Sequence, residues 1–95
     1  MSVVIVGGNE RMEENYRQIC RQAGCRARVF TKENGTLKKK LGTPDLLIVM
    51  TGTVSHKMST TAVAEAKRCR VPVEWVHSSS GSALRRVLEN YRVHA

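Results

Sequence analysis

Three groups of residues in this chain combine reactive side chains with close spacing. Ser55-His56-Lys57 sets a hydroxyl, an imidazole and an ammonium in a row, just after Thr51-Gly52-Thr53. An imidazole so placed can carry a proton, ligate a metal or donate to an anion. His77-Ser78-Ser79-Ser80-Gly81 offers hydroxyls and, ahead of a helix, backbone N–H groups, with Arg85 and Arg86 following within two turns. That composition suits an anion. Gly7-Gly8-Asn9 is the third group, with Arg11 close behind. Gly-Gly permits a tight turn, and Asn9 is a good helix N-cap. It is not GxGxxG, and no Walker lysine follows, so a plain turn explains it better than a dinucleotide cradle. No carboxylate is placed to orient His56; Glu10 and Glu33 are the only loop candidates for that role. Nucleophilic catalysis is therefore the least favoured chemistry, and the reading is a protein that binds rather than an enzyme.

The elements around these groups explain why they meet. Leu46 to Met50 is a short apolar run without alternation, the mark of a strand buried on both faces. After the polar stretch Thr51 to Lys57, Met58, Ala62, Ala66 and Cys69 recur at helical spacing, so a helix starts near His56 with Ser55 as its N-cap. Ser2 to Val6 is a second buried strand. The helix after it carries Met12, Tyr16, Ile19, Cys20 and Ala23 on one face and stops at Gly24. Ala27 and Val29 alternate with Arg26 and Arg28, as on an edge strand. Thr31 to Gly35 is a loop, and Thr36 to Leu41 a short helix at best, its Lys38-Lys39-Lys40 run facing water. Val71 to Val76 is a fourth strand with Pro72 near its start, and Leu84, Val87, Leu88 and Tyr91 mark the last helix.

Four strands alternating with four helices, joined by right-handed crossovers, give strand order 2-1-3-4. The expected architecture is α/β, a small three-layer Rossmann-like or flavodoxin-like domain spanning residues 1–95. Its loops at Gly7–Arg11, Thr31–Gly35, Thr51–Lys57 and His77–Gly81 all leave the carboxyl edge of the sheet, where ligands bind in open α/β folds.

A chain of 95 residues builds one modest core. No apolar run approaches the roughly 20 residues that span a bilayer. The start of the chain lacks a basic n-region and a proper h-region, so a cytoplasmic location is expected. Cys20, Cys25 and Cys69 form no CxxC pair and suggest neither a disulfide framework nor a zinc site. Cys20 and Cys69 read as small buried hydrophobes, and Cys25, after a helix-ending glycine, as exposed. The net charge of +8 suggests an anionic partner, yet the cations are spread over every helix. Tyr16, Phe30, Trp75 and Tyr91 mostly occupy core-like positions, leaving little surface on which bases could stack.

Val-Ile-Val-Gly-Gly near the start, Asp45 to Met58 in the middle, Ala66-Lys-Arg-Cys-Arg-Val-Pro-Val73 after it and Ser78 to Leu88 near the end together resemble a bacterial family, domain of unknown function 2325. The resemblance covers essentially the whole chain and is most specific at Val54-Ser55-His56. Many members have an acidic or amide residue where this chain has Gly52. It implies a bacterial, soluble, Rossmann-like protein and no settled activity.

The function expected is a ligand-binding or sensing module. Its site residues are Gly7, Gly8, Asn9, Arg11, Thr51, Thr53, Ser55, His56, Lys57, His77, Ser78, Ser79, Ser80 and Arg85. Haem b, held non-covalently with His56 on the iron, is the expected ligand. Met50, Val54 and Met58 would give part of an apolar wall, and Lys57, Arg11, Arg85 and Arg86 would meet the two carboxylates. The rival is a phosphate- or nucleotide-bearing ligand on the helix N-termini, or nucleic acid held weakly by the basic surface. A homodimer is expected as well, because Val71 to Val76 leaves an apolar edge; the second copy would cover the fourth strand or the last helix, shielding Trp75.

Overall fold

A computed structural model describes residues 1–32 and 37–94. Four parallel strands, β1 (Ser2–Gly7), β2 (Arg26–Phe30), β3 (Leu46–Met50) and β4 (Val73–Val76), stand in the order β2-β1-β3-β4. The helices are α1 (Glu13–Gln22), α2 (Leu37–Leu41), α3 (His56–Arg68) and α4 (Gly81–His94). The expected fold class and strand order are thus observed. Among the described residues, no helix is long and apolar enough to cross a membrane.

The unbroken apolar runs divide between two layers by strand parity. Val3, Ile5, Leu46, Ile48, Met50 and Val76 face α1 and α4, meeting Tyr16, Ile19, Leu84 and Leu88. Val4, Val6, Leu47 and Val49 face the other way, against Leu37 and Leu41 of α2 and Met58, Ala62 and Ala66 of α3. Both central strands are therefore buried on two faces, which is why they show no alternation.

Boundaries differ from expectation in explicable ways. Asn9 caps a 3-10 turn, Glu10–Met12, and α1 proper begins at Glu13. β4 starts at Val73 rather than Val71: Arg70 sits at φ 59, and Pro72 only lends its carbonyl to the Leu47 N–H at 2.9 Å. A proline has no N–H to give the ladder. The part of the expected helix at Thr36 and the loop residues 33–35 lie outside the described residues.

Cys25 is buried, not exposed. Gly24, at φ 78, turns the chain back so that the Cys25 N–H reaches the Cys20 carbonyl at 2.8 Å and the side chain tucks beneath α1. Cys20 is buried as expected, whereas Cys69 at the end of α3 is only half-buried. Burial, with the neighbouring Cys25, pushes the Cys20 thiol up to about 11. A native thiol titration at neutral pH is therefore expected to modify Cys69 first and Cys20 only on unfolding. Equal rates at all three cysteines would contradict this packing.

Glu65, on α3, is the buried acid among the described residues. Hydrogen bonds from the Arg68 guanidinium, one of them Nε to Oε1 at 3.2 Å, hold its carboxyl below the ordinary range. With the folded value depressed, the pair's support is present above the unfolded carboxylate range and is lost as pH falls from there through the lowered folded value.

Candidate functional site

Each strand of the sheet ends in a loop at the carboxyl edge, and three of those loops are tied together there. Gly7 and Gly8 leave β1 at φ 98 and 92, so the chain turns at once across the end of β3. The Gly8 N–H donates to Thr53 Oγ1 at 2.7 Å, joining the first loop to the third. The Asn9 N–H donates to Tyr16 Oη at 3.2 Å, and that hydroxyl donates onward to the Ser79 carbonyl at 2.6 Å. One buried phenol thus couples the first loop to the fourth. The third and fourth loops touch directly: the Thr51 N–H reaches the Val76 carbonyl at 2.8 Å, and a Cβ on Gly52 would lie 2.6 Å from the His77 carbonyl oxygen. Glycine at position 52 lets the two backbones approach.

These ties change the roles of several expected site residues. The turn at Gly7-Gly8-Asn9 has spent its donors. Besides Gly8 and Asn9, the Arg11 N–H goes to Asn9 Oδ1 at 3.0 Å and the Met12 N–H to the Asn9 carbonyl at 2.8 Å. An anion arriving here would find no ready cradle. Thr53 is structural, its hydroxyl held by Gly8 and lying 3.4 Å from the Met50 carbonyl. Ser55 caps α3 by accepting from the Met58 N–H at 3.1 Å. Ser80 does the same for α4, accepting from Ala83 N at 3.2 Å, while Ser78 Oγ meets Ser80 N and Oγ at 3.1 Å. Ser79 contributes its carbonyl to Tyr16.

What remains presented to solvent is a set of side chains. His56, Lys57, His77, Thr51 and Arg11 are all exposed on these loops. Two imidazoles therefore stand on adjoining loops. The second loop closes the edge from the far side, with Thr31 Oγ1 bonded to Glu13 and Lys32 Nζ 3.1 Å from Glu10. Glu10 is thereby engaged away from His56, and Glu33 lies outside the described residues.

The expected apolar wall beside His56 is not formed. Met50 and Met58 are buried in opposite layers of the core, and only Val54 reaches the surface in part. Helix and strand parity send the two methionines inward. Arg85 is set apart too, between α1 and α4. Two shallow grooves of about 220 and 280 Å³ there share Ile19, Gln22 and Arg85. Both fall below the roughly 300–1,000 Å³ of most small-molecule pockets. Among the described residues, no group of three or more His, Cys, Asp or Glu could hold a metal ion. The role of Tyr16 was hidden in sequence, since its helical spacing marks it only as core; a buried tyrosine needs a partner for its hydroxyl, and that was the available signal.

Fold and edge define a small doubly wound α/β domain whose loops are braced from within and whose exposed chemistry is imidazole and cationic side chains. Residues 2–91 match a family described as an uncharacterised protein conserved in bacteria, domain of unknown function 2325, and the chain belongs to that family. No curated protein and no solved structure matches it.

Proposed function

We propose that the protein is a ligand-binding or sensing module whose site is the carboxyl edge of the sheet, with haem b as the ligand, held non-covalently by His56 and, since one copy forms no apolar wall beside that residue, covered by a second copy. The observation that supports this reading is the spent turn: four backbone donors from Gly8 to Met12 are engaged within the protein. A ligand at this edge is then gripped by side chains, and an exposed imidazole is suited to iron. Lys57 and Arg11 are exposed on the same loops and would meet the propionates. A second copy of the chain is the partner this reading assigns, seated on the β4 edge. Titrating the apo-protein with hemin is expected to give a saturable, shifted Soret band. That band should lose its axial signature in His56→Ala and keep it in His77→Ala. An unshifted band in the unmodified chain, or a full signature in His56→Ala, sinks the haem assignment.

One observation favours the basic surface as a second reading. Arg26, Lys39 and Lys40 are exposed along β2 and α2 and make no ion pair with a described residue. Beside them a groove of about 230 Å³ is lined by Arg17, Arg28, Phe30 and Lys40. Binding of single-stranded nucleic acid there is expected to be weak and to vanish near physiological salt, because it rests on counterion release. Tight, sequence-selective binding at that salt would reverse the order of the two readings.

A further inference from the structure

The sheet has two edges, and they are guarded differently. On β2, Arg26 and Arg28 are exposed, and Arg28 Nη1 reaches across to the Lys40 carbonyl at 2.7 Å, drawing α2 toward that strand. Charged side chains on an edge discourage pairing with another strand. On β4 no cation occurs between Val71 and Val76, although the chain carries 16. Its only charged residue is Glu74. Trp75 is 56% exposed, the most exposed large hydrophobic side chain among the described residues. The cause is in the layering. α4 packs on β4 from one face, but on the other α3 lies mainly over β1 and β3, so the layer it covers reaches Val73, which is half-buried, and leaves Trp75 outside it.

We infer that the β4 edge is a self-association surface, on which a second copy adds its own β4 antiparallel about a two-fold axis through Trp75. This rests on the homodimer of the reading above but on neither ligand.

Backbone parity restricts the register. Pro72 and Val76 turn their carbonyls to β3, accepting from Leu47 and Thr51, so the alternate residues Val73 and Trp75 turn theirs outward. In an antiparallel pair, outward groups must stand opposite outward groups. The axis must then pass through a residue, and the two at the middle of the strand, which give the longest overlap, are Glu74 and Trp75. An axis at Glu74 sets that carboxylate directly opposite its copy, and like charges so placed are destabilising. An axis at Trp75 sets indole against indole, an arrangement that stabilises a sheet, and pairs Glu74 with Val76 instead. A two-fold contact uses the same patch on both copies, and an edge strand read about its own centre is self-complementary. Antiparallel pairing also carries the partner's Arg70 toward the Ser78–Ser80 loop, bringing a cation from the second copy to the carboxyl edge of the first.

The decisive measurement is mass against concentration, in the absence of hemin and of added anions, so that failure of the ligand reading leaves it untouched. A dimer is expected at tens of micromolar. It should tighten as salt rises, because each copy carries +8 and screening relieves their repulsion. Trp75→Pro, which deletes an outward N–H, and Trp75→Lys, which charges the edge, should each be folded and monomeric. Register is read by cross-linking. Opposed residues in a hydrogen-bonded antiparallel pair lie about 5.5 Å apart between Cα atoms, within disulfide reach. Oxidation should therefore trap Trp75→Cys as a covalent dimer and leave Glu74→Cys untrapped. A monomer at all concentrations overturns the inference. So does a dimer that survives Trp75→Lys, one that weakens with salt as an anion-bridged pair would, or one trapped through position 74 and not 75.

Discussion

Replacing Gly7 with alanine is expected to destabilise the protein by about 3 kcal/mol, a drop in melting temperature of about 15 °C for a domain of this length. Two effects coincide at that residue. Its φ of 98 lies where a side chain is strained, and a Cβ there would sit 2.8 Å from the Met50 carbonyl oxygen and 2.9 Å from the Val54 Cβ. Neither neighbour is the free end of a flexible chain, since Gly7 pairs with Met50 in the β1–β3 ladder. Something in the sheet would have to move. Gly24 provides the comparison, because it has a φ of 78 and nothing within 4 Å of a built Cβ. Gly24→Ala should cost only the backbone component, about 1 kcal/mol. Chemical denaturation of both variants separates strain from collision. Equal losses at the two sites would mean that the edge loops yield more readily than their packing indicates.

How much of this was legible in sequence depends on whether the signal was local. The strand order followed from apolar runs such as Leu46 to Met50 and from the handedness of crossovers, both carried by contiguous residues. The start of α3 at His56 was readable from the Ser55 cap. Failures came where a residue's fate is set by a distant partner. Gly24 was rightly read as a stop, but the burial of Cys25 depends on β2 beginning one residue later. Trp75 looks like a core residue by type, and it is exposed because the α3 layer on its side of the sheet reaches Val73 and stops short of it. The candidate site shows the same division. The four loops could be assigned to one edge from topology alone. That the Gly7-Gly8-Asn9 turn offers no free cradle could not be seen, because its donors end on Thr53 and Tyr16, residues 45 and 7 positions away.

Tyr16→Phe is expected to lower stability by about 2 kcal/mol, or about 10 °C in melting temperature, while leaving the secondary structure intact. The ring itself would stay. Tyr16 is fully buried beneath the carboxyl edge, packed with Ile5, Met50 and Leu84 in one layer of the core. What disappears is a single oxygen that accepts from the Asn9 N–H and donates to the Ser79 carbonyl. Both partners lose their bond together, and a buried donor and acceptor left unpaired cost more than an average hydrogen bond contributes. The consequence is regional, because no other described side chain bridges the first and fourth loops. Amide exchange at Asn9 and around Ser79 should quicken well beyond what the global loss explains, with the β1 and β3 amides changing only by that loss. Tyr91→Phe is the natural control. Tyr91 is half-buried at the far end of α4, its hydroxyl bonded to no described residue, so its loss should fall within about 0.5 kcal/mol. If Tyr16→Phe proved as mild as Tyr91→Phe, water or the loops themselves would be satisfying Asn9 and Ser79. The carboxyl edge would then lack the rigid brace on which a side-chain-built ligand site depends.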